Sequence, residues 1–266
     1  MKSMTRWLLL SMGVLTVLLI GLSQKATAYE YVPSTESSED VSFTPEDHTT
    51  THWEDATASG DADESTGICS CDVHTYAWAK GDYASATAHA QYTYGKHWVW
   101  SGPPGTTAPG GSLSWSLDGQ GFEWAWASSW PRTGSSYASA YVESDTWTAV
   151  VSPYNFYYSL GYSSGDVTNN GNPTGGSNWG GSPWPFYKPI DDDGGPGWFD
   201  YSIRWATDPS GSEPVASGTT HVDFLGGAIC DSDSYASGTP TGSSAEAQSY
   251  TYGSGLARLT GTFTSN

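Results

Sequence analysis

The chain has 266 residues with 28 acidic side chains against 9 lysines and arginines, a net charge of −19, and it is rich in Trp (14), Tyr (17) and Gly (32). This balance excludes nucleic-acid binding by phosphate neutralisation, which needs clustered Lys and Arg, and disfavours an anionic membrane surface. A cation, or a neutral partner such as a glycan, suits the field of so acidic a chain.

The first element is Lys2 and Arg6, then the apolar run from Trp7 to Leu22, then Ala26-Thr27-Ala28. A basic start, a hydrophobic stretch and a small-x-small site predict a secretory signal over residues 1–28, cleaved after Ala28. No later segment approaches the ~20 apolar residues of a membrane helix. The expected product is therefore secreted or held at the cell surface, with no membrane span after cleavage.

Residues 29–67 carry Asp and Glu but no Lys or Arg, set among Ser and Thr. So few apolar side chains cannot offset the entropy of ordering the segment, which predicts a disordered acidic linker.

From Ile68 the period becomes two. After Asp82, Ala84, Ala86, Ala88, Ala90, Tyr92 and Tyr94 alternate with Tyr83, Ser85, Thr87, His89, Gln91 and Thr93. The same alternation in "FEWAWASSW" and "YASAYVESDTWTAVVS" predicts strands with two chemically different faces. Residues 68–266 are thus expected to be all-β, a single domain of β-sandwich or jelly-roll type. Gly81-Asp82 suits a two-residue hairpin turn. Closure there would pair Ala79 with Ala84, Trp78 with Ser85, Ala77 with Ala86, Tyr76 with Thr87 and His74 with His89. Val73, Ala77, Ala79 and the following alanines would form the core face, with His74, Tyr76, Trp78, His89 and Gln91 opposite.

Much of Cys71–Gly95 returns over Cys230–Gly253. Both copies begin C-D-x-x-x-Y-A and end A-x-A-Q followed by Y-T-Y-G, which predicts a duplicated hairpin opening and closing one domain. Three cysteines in an oxidising compartment imply one bridge and one spare thiol. Cys69 and Cys71 are too close for an unstrained ring, so either of them is expected to pair with Cys230, and the matching positions of the two copies favour Cys71. In the alignment His74 and His89 match Asp233 and Glu246. Were the hairpins adjacent, these four would offer two imidazoles and two carboxylates to a divalent metal.

Two further chemistries remain. A glycan hydrolase needs two carboxylates about 5–10 Å apart, and Glu123 and Glu143 are the best acids within aromatic strands. Aromatics in Gly- and Pro-rich sequence, namely Trp98, Trp100, Trp179, Trp184, Phe186, Tyr187 and Trp198, would suit the apolar faces of sugar rings if exposed at one end of the sandwich. Aromatics alternating within strands are assigned to the core. The leading expectation is a non-catalytic module binding extracellular polysaccharide through those loop aromatics. The alternatives are a secreted hydrolase using Glu123 and Glu143, and a self-associating structural protein.

Overall fold

The computed structural model describes residues 30–130, 135–152, 156–169, 176–180, 187–191, 198–239 and 245–266, with the strand backbone alone over 151–201. The expected signal at residues 1–28 lies outside them. Fourteen strands are described: β1 (Tyr31–Phe43), β2 (Asp47–His48), β3 (His52–Asp63), β4 (Ile68–Lys80), β5 (Tyr83–Trp100), β6 (Gly111–Trp130), β7 (Ser135–Ser152), β8 (Phe156–Asn169), β9 (Gly176–Gly180), β10 (Tyr187–Asp191), β11 (Trp198–Thr207), β12 (Ser210–Val215), β13 (His221–Thr239) and β14 (Glu246–Ser265). They form a six-stranded sheet, β1-β5-β13-β7-β8-β9, packed on an eight-stranded sheet, β10-β11-β6-β14-β4-β3-β2 with β12 also on β6. The fold is an all-β, antiparallel two-sheet sandwich, as the alternation predicts.

The Gly81-Asp82 hairpin is not formed. Gly81 does take a positive φ of 62°, but the turn carries the chain from one sheet to the other. β4 pairs with β14 and β3, while β5 pairs with β13 and β1. Ala79 lies opposite Ala247 and His52, and Ala84 lies opposite Ala236. The physical reason is that alternation specifies which face is buried and says nothing of the partner strand. A hairpin would gather every alanine on one sheet and still need a second layer. An arch instead sets the two alanine faces against each other. The face assignment itself holds, since Val73, Ala77, Ala79, Ala84, Ala86 and Ala90 are at most 1 % exposed.

The second copy, β13 followed by β14, is an arch of the same kind, and the two interlock. The first strand of each copy pairs with the second strand of the other, β4 with β14 and β13 with β5. Cys230, Ser232, Ser234 and Ala236 point inward as Cys71, Val73, Thr75 and Ala77 do. The closing Y-T-Y-G segments differ, because Ser249 is an extra residue between Gln248 and Tyr250. That single insertion reverses the faces: Tyr92 and Tyr94 are buried, whereas Thr251 is buried and Tyr250 and Tyr252 point outward.

Cys71 and Cys230 form the disulfide, Cα–Cα 6.0 Å, at the matching position of each copy and across the two sheets. Gly255 leaves room beside it, since a Cβ there would come within 3.1 Å of Cys71 Sγ. Cys69 is the free cysteine and is buried. Burial, with the charge of Asp61 added, pushes its thiol up to about 12, so it is protonated and unreactive at neutral pH.

The acidic segment is not a disordered linker. β1 pairs along its length with β5, and β3 pairs with β4. The composition argument weighs apolar burial, and these strands need little of it. In β1 only Tyr31 is buried and in β3 only Ala56; their order comes from backbone ladders on neighbours that are themselves well packed. Acidic side chains left in solvent also keep this edge from pairing with other chains.

His52 at the head of β3 ties it to the arch. Its Nδ1 lies 3.1 Å from Asp82 Oδ2, and Thr51 Oγ1 donates to the same oxygen at 2.7 Å. The hydrogen bond with Asp82, then that with Asp47, raises the His52 pKa against the opposing effect of burial. The hydroxyl of Thr51, then His52, lowers that of Asp82. The imidazolium–carboxylate pair therefore contributes fully between about pH 4 and 6.5, the ordinary values of the two groups. Its contribution is lost upward as His52 deprotonates at its raised pKa, and downward as Asp82 protonates at its lowered one. In an NMR titration His52 should have a midpoint above 6.5, and Asp82→Asn should bring it down. A midpoint unchanged by Asp82→Asn would remove the pair.

Candidate binding surface

Burying alanines leaves the bulky residues of the same strands outside. In β6, Ala125 and Ala127 are fully buried, so Phe122, Trp124 and Trp126 face out from the eight-stranded sheet. In β4 the inward Val73, Thr75, Ala77 and Ala79 place His74, Tyr76 and Trp78 on that outer face. In β14 the shifted register adds Tyr250 and Tyr252. Register then puts these side chains in rows. Tyr76, Tyr250 and Trp126 lie opposite one another on β4, β14 and β6, and His74, Tyr252 and Trp124 form the next row. Trp53 of β3 sits opposite Trp78 and is 44 % exposed.

The rings touch. Tyr250 has its centroid 4.7 Å from His74 and 4.8 Å from Trp124, Phe122 lies 5.9 Å from Tyr252, and Trp53 lies 6.3 Å from Tyr76. Four adjacent strands at ~4.8 Å spacing make this platform about 14 Å across. Polar groups are fixed among the rings. Trp78 Nε1 donates to Glu246 Oε1 at 2.7 Å, the Tyr76 hydroxyl to Gln248 Oε1 at 3.3 Å, and the Tyr252 hydroxyl to Asp72 Oδ1 at 3.1 Å. Burial raises the pKa of Tyr76, Tyr250 and Tyr252, keeping them as neutral donors. Burial also lowers that of His74, against the opposing charge of Asp55, so the row is uncharged at neutral pH. The guanidinium of Arg204 lies 5.3 Å from the Phe122 centroid.

The residues singled out from sequence are placed differently. Trp98 and Trp100 belong to β5 and not to a loop. Trp98 is 5 % exposed and packs near Phe263, 6.1 Å between centroids, while Trp100 lies 5.5 Å from Tyr31. Tryptophan supplies the volume that alanine cannot at this wider end of the core, beside Trp115, Leu113 and Phe224. The backbone of Trp179, Tyr187 and Trp198 lies in β9, β10 and β11; Trp184 and Phe186 are outside the described residues.

His74, His89, Asp233 and Glu246 do not converge. His74 and Glu246 face out from the eight-stranded sheet, and His89 and Asp233 from the six-stranded one, because each arch sends its two strands to opposite sheets. His89 Nδ1 instead lies 2.6 Å from Asp231. Among the described residues no group of three or more His, Cys, Asp or Glu is arranged to hold a metal.

Glu123 and Glu143 are likewise on different surfaces. Glu123 is fully buried between the sheets, where its Oε1 accepts from Ser144 N at 2.9 Å and from Ser144 Oγ at 2.6 Å. Glu143 lies outside the six-stranded sheet and accepts from the Tyr141 hydroxyl. A hydrolase pair must reach one glycosidic bond from both sides, and this pair cannot.

No protein-family model, curated protein or solved structure matches the chain. The chemistry of the surface is what bears on function.

Proposed function

We propose that the protein is a non-catalytic binding module for an extracellular polysaccharide, held on the outer aromatic face of the eight-stranded sheet. The observation that carries this is the contiguous set of Tyr76, Trp78, Trp124, Trp126, Tyr250 and Tyr252 on three neighbouring strands, with carboxylate and amide oxygens fixed between the rings. An extended sugar chain offers alternating C–H faces and hydroxyls, which such a surface meets with stacking and hydrogen bonds. The six rings are half-buried against one another, with Trp53 exposed at their margin, so they offer ring faces and edges side by side to a flat ligand. The secretory segment expected at residues 1–28 and the Cys71–Cys230 bridge agree with an extracellular setting.

Affinity electrophoresis across a panel of neutral polysaccharides tests the proposal. At least one polymer should retard the protein, and Trp126→Ala or Tyr250→Ala should weaken retention about tenfold, the worth of one stacked ring at 1–2 kcal/mol. Trp98→Phe, inside the core, should leave retention unchanged. Retention by no polymer, with concentration-dependent assembly in sedimentation, would favour the self-associating alternative.

A further inference from the structure

A groove lies at the open edge of the sandwich, where β1 of one sheet meets β3 of the other. It measures about 370 Å³ and is lined by Ser37, Ser38 and Glu39 of β1, Gly60 and Asp61 of β3, and Tyr92 of β5. Register places Glu39 directly beside Tyr92. The Tyr92 ring is 7 % exposed and lies against Gly60, where a Cβ would come within 2.4 Å of its Cε2. A glycine here lets the phenol lie across the floor of the groove. The Tyr92 hydroxyl has no hydrogen-bond partner among the described residues, although nearly all of the side chain is buried. The hydroxyl oxygen itself opens on the groove, so an entering donor would take the place of water there.

The lining selects the chemistry of the visitor. It offers two carboxylates, a phenol oxygen and serine hydroxyls, and no lysine or arginine. An anion is repelled. A bare divalent cation is poorly served, since two carboxylates fall short of the six to eight oxygens that calcium takes and the groove holds more than one ion's volume. A primary ammonium fits, because its three N–H donors match three acceptors, those of Glu39, Asp61 and Tyr92. The carbon body it carries would lie along the tyrosine ring.

We infer that the groove between Glu39, Asp61 and Tyr92 is a binding site for a small organic ammonium ion, the amine of an amino sugar or of an alkyl diamine. Burial, then the charges of Glu39 and Asp61, raises the Tyr92 pKa, so the phenol stays neutral and its oxygen is free to accept. The site stands apart from the aromatic platform and does not depend on it.

The test is NMR titration of the ¹⁵N-labelled folded chain with glucosamine, N-acetylglucosamine and 1,4-diaminobutane, following the Gly60 amide. Glucosamine or diaminobutane should shift Gly60 saturably, and the tighter of the two identifies the source of the amine. N-acetylglucosamine, whose nitrogen is an uncharged amide, should not shift it. Asp61→Asn and Tyr92→Phe should each weaken the amine about three- to fivefold, as expected for partly solvated charged contacts. Equal shifts with N-acetylglucosamine, no shift with either amine, or undiminished affinity in Asp61→Asn would overturn the site. The ligand comparison needs no substitution, so it holds even if a variant fails to fold. Neither result bears on polysaccharide retention by the platform.

Discussion

Replacing Cys230 with alanine should lower the melting temperature by about 5–15 °C. The bridge joins positions 159 residues apart, and closing so long a loop restricts the unfolded chain strongly, with a typical loss of about 2–5 kcal/mol when a native disulfide is removed. For a domain of this size each kcal/mol shifts the midpoint by about 2–4 °C. Cys230 is the informative position. In Cys71→Ala the neighbouring Cys69, buried on the same face of β4, is the only remaining thiol that Cys230 could take. Peptide mapping of the unreduced wild type should recover Cys71 linked to Cys230, with Cys69 as a thiol released only on denaturation. A Cys69–Cys230 peptide, or a Cys230→Ala variant that melts with the wild type, would contradict this arrangement.

Glu123→Ala should cost about 2–4 kcal/mol of unfolding free energy, and Glu123→Gln roughly 1 kcal/mol or less. The carboxylate is fully buried and its Oε1 receives the backbone N–H and hydroxyl of Ser144, whose Oγ in turn accepts from Trp205 Nε1 at 2.8 Å. Glu123 and Trp205 lie on strands of one sheet and Ser144 on the other, so the chain of bonds ties the layers together. Alanine strands the Ser144 N–H and opens a cavity, two costs that add. Glutamine keeps an acceptor oxygen in the same place. Denaturant unfolding followed by tryptophan fluorescence measures both variants. Equal losses in the two, or none in either, would mean that Glu123 does not hold the sheets together.

The fold class was legible because strict alternation of alanine with larger residues has one reading, a strand with one buried face. Its partner strands were not, since the same Ala84–Ala90 face serves a hairpin or an arch equally well. The acidic segment departs from what its composition implies for a related reason. An edge strand such as β1 draws order from the β5 backbone, which its own composition cannot report. The binding surface was partly visible. "YAWA" and "EWAWA" already put Tyr76, Trp78, Trp124 and Trp126 opposite alanines, so once alanine is assigned to the core the aromatics must lie outside. The alternation alone places Tyr76 and Trp78 opposite the core, but a general preference of strand aromatics for the interior hides Trp124 and Trp126, and Gly- and Pro-rich surroundings give no sign that Trp98 fills the core. Tyr250 and Tyr252 could not be placed from the repeat, because Ser249 reverses their faces relative to Tyr92 and Tyr94. Nothing in the spacing of Glu39, Asp61 and Tyr92 shows that β1 and β3 meet at one edge.

Hydroxyl-radical footprinting with mass spectrometry, in the absence and presence of the best-retained polysaccharide, tests the aromatic platform most directly. Trp53, Trp124, Trp126 and Tyr250 should oxidise readily in the free protein while Trp98 and Trp115 are spared, and the polysaccharide should protect Trp124, Trp126 and Tyr250. Free-protein oxidation that strikes Trp98 and Trp115 while sparing Trp124 and Trp126, or a bound polymer that protects none of the platform rings, would contradict it.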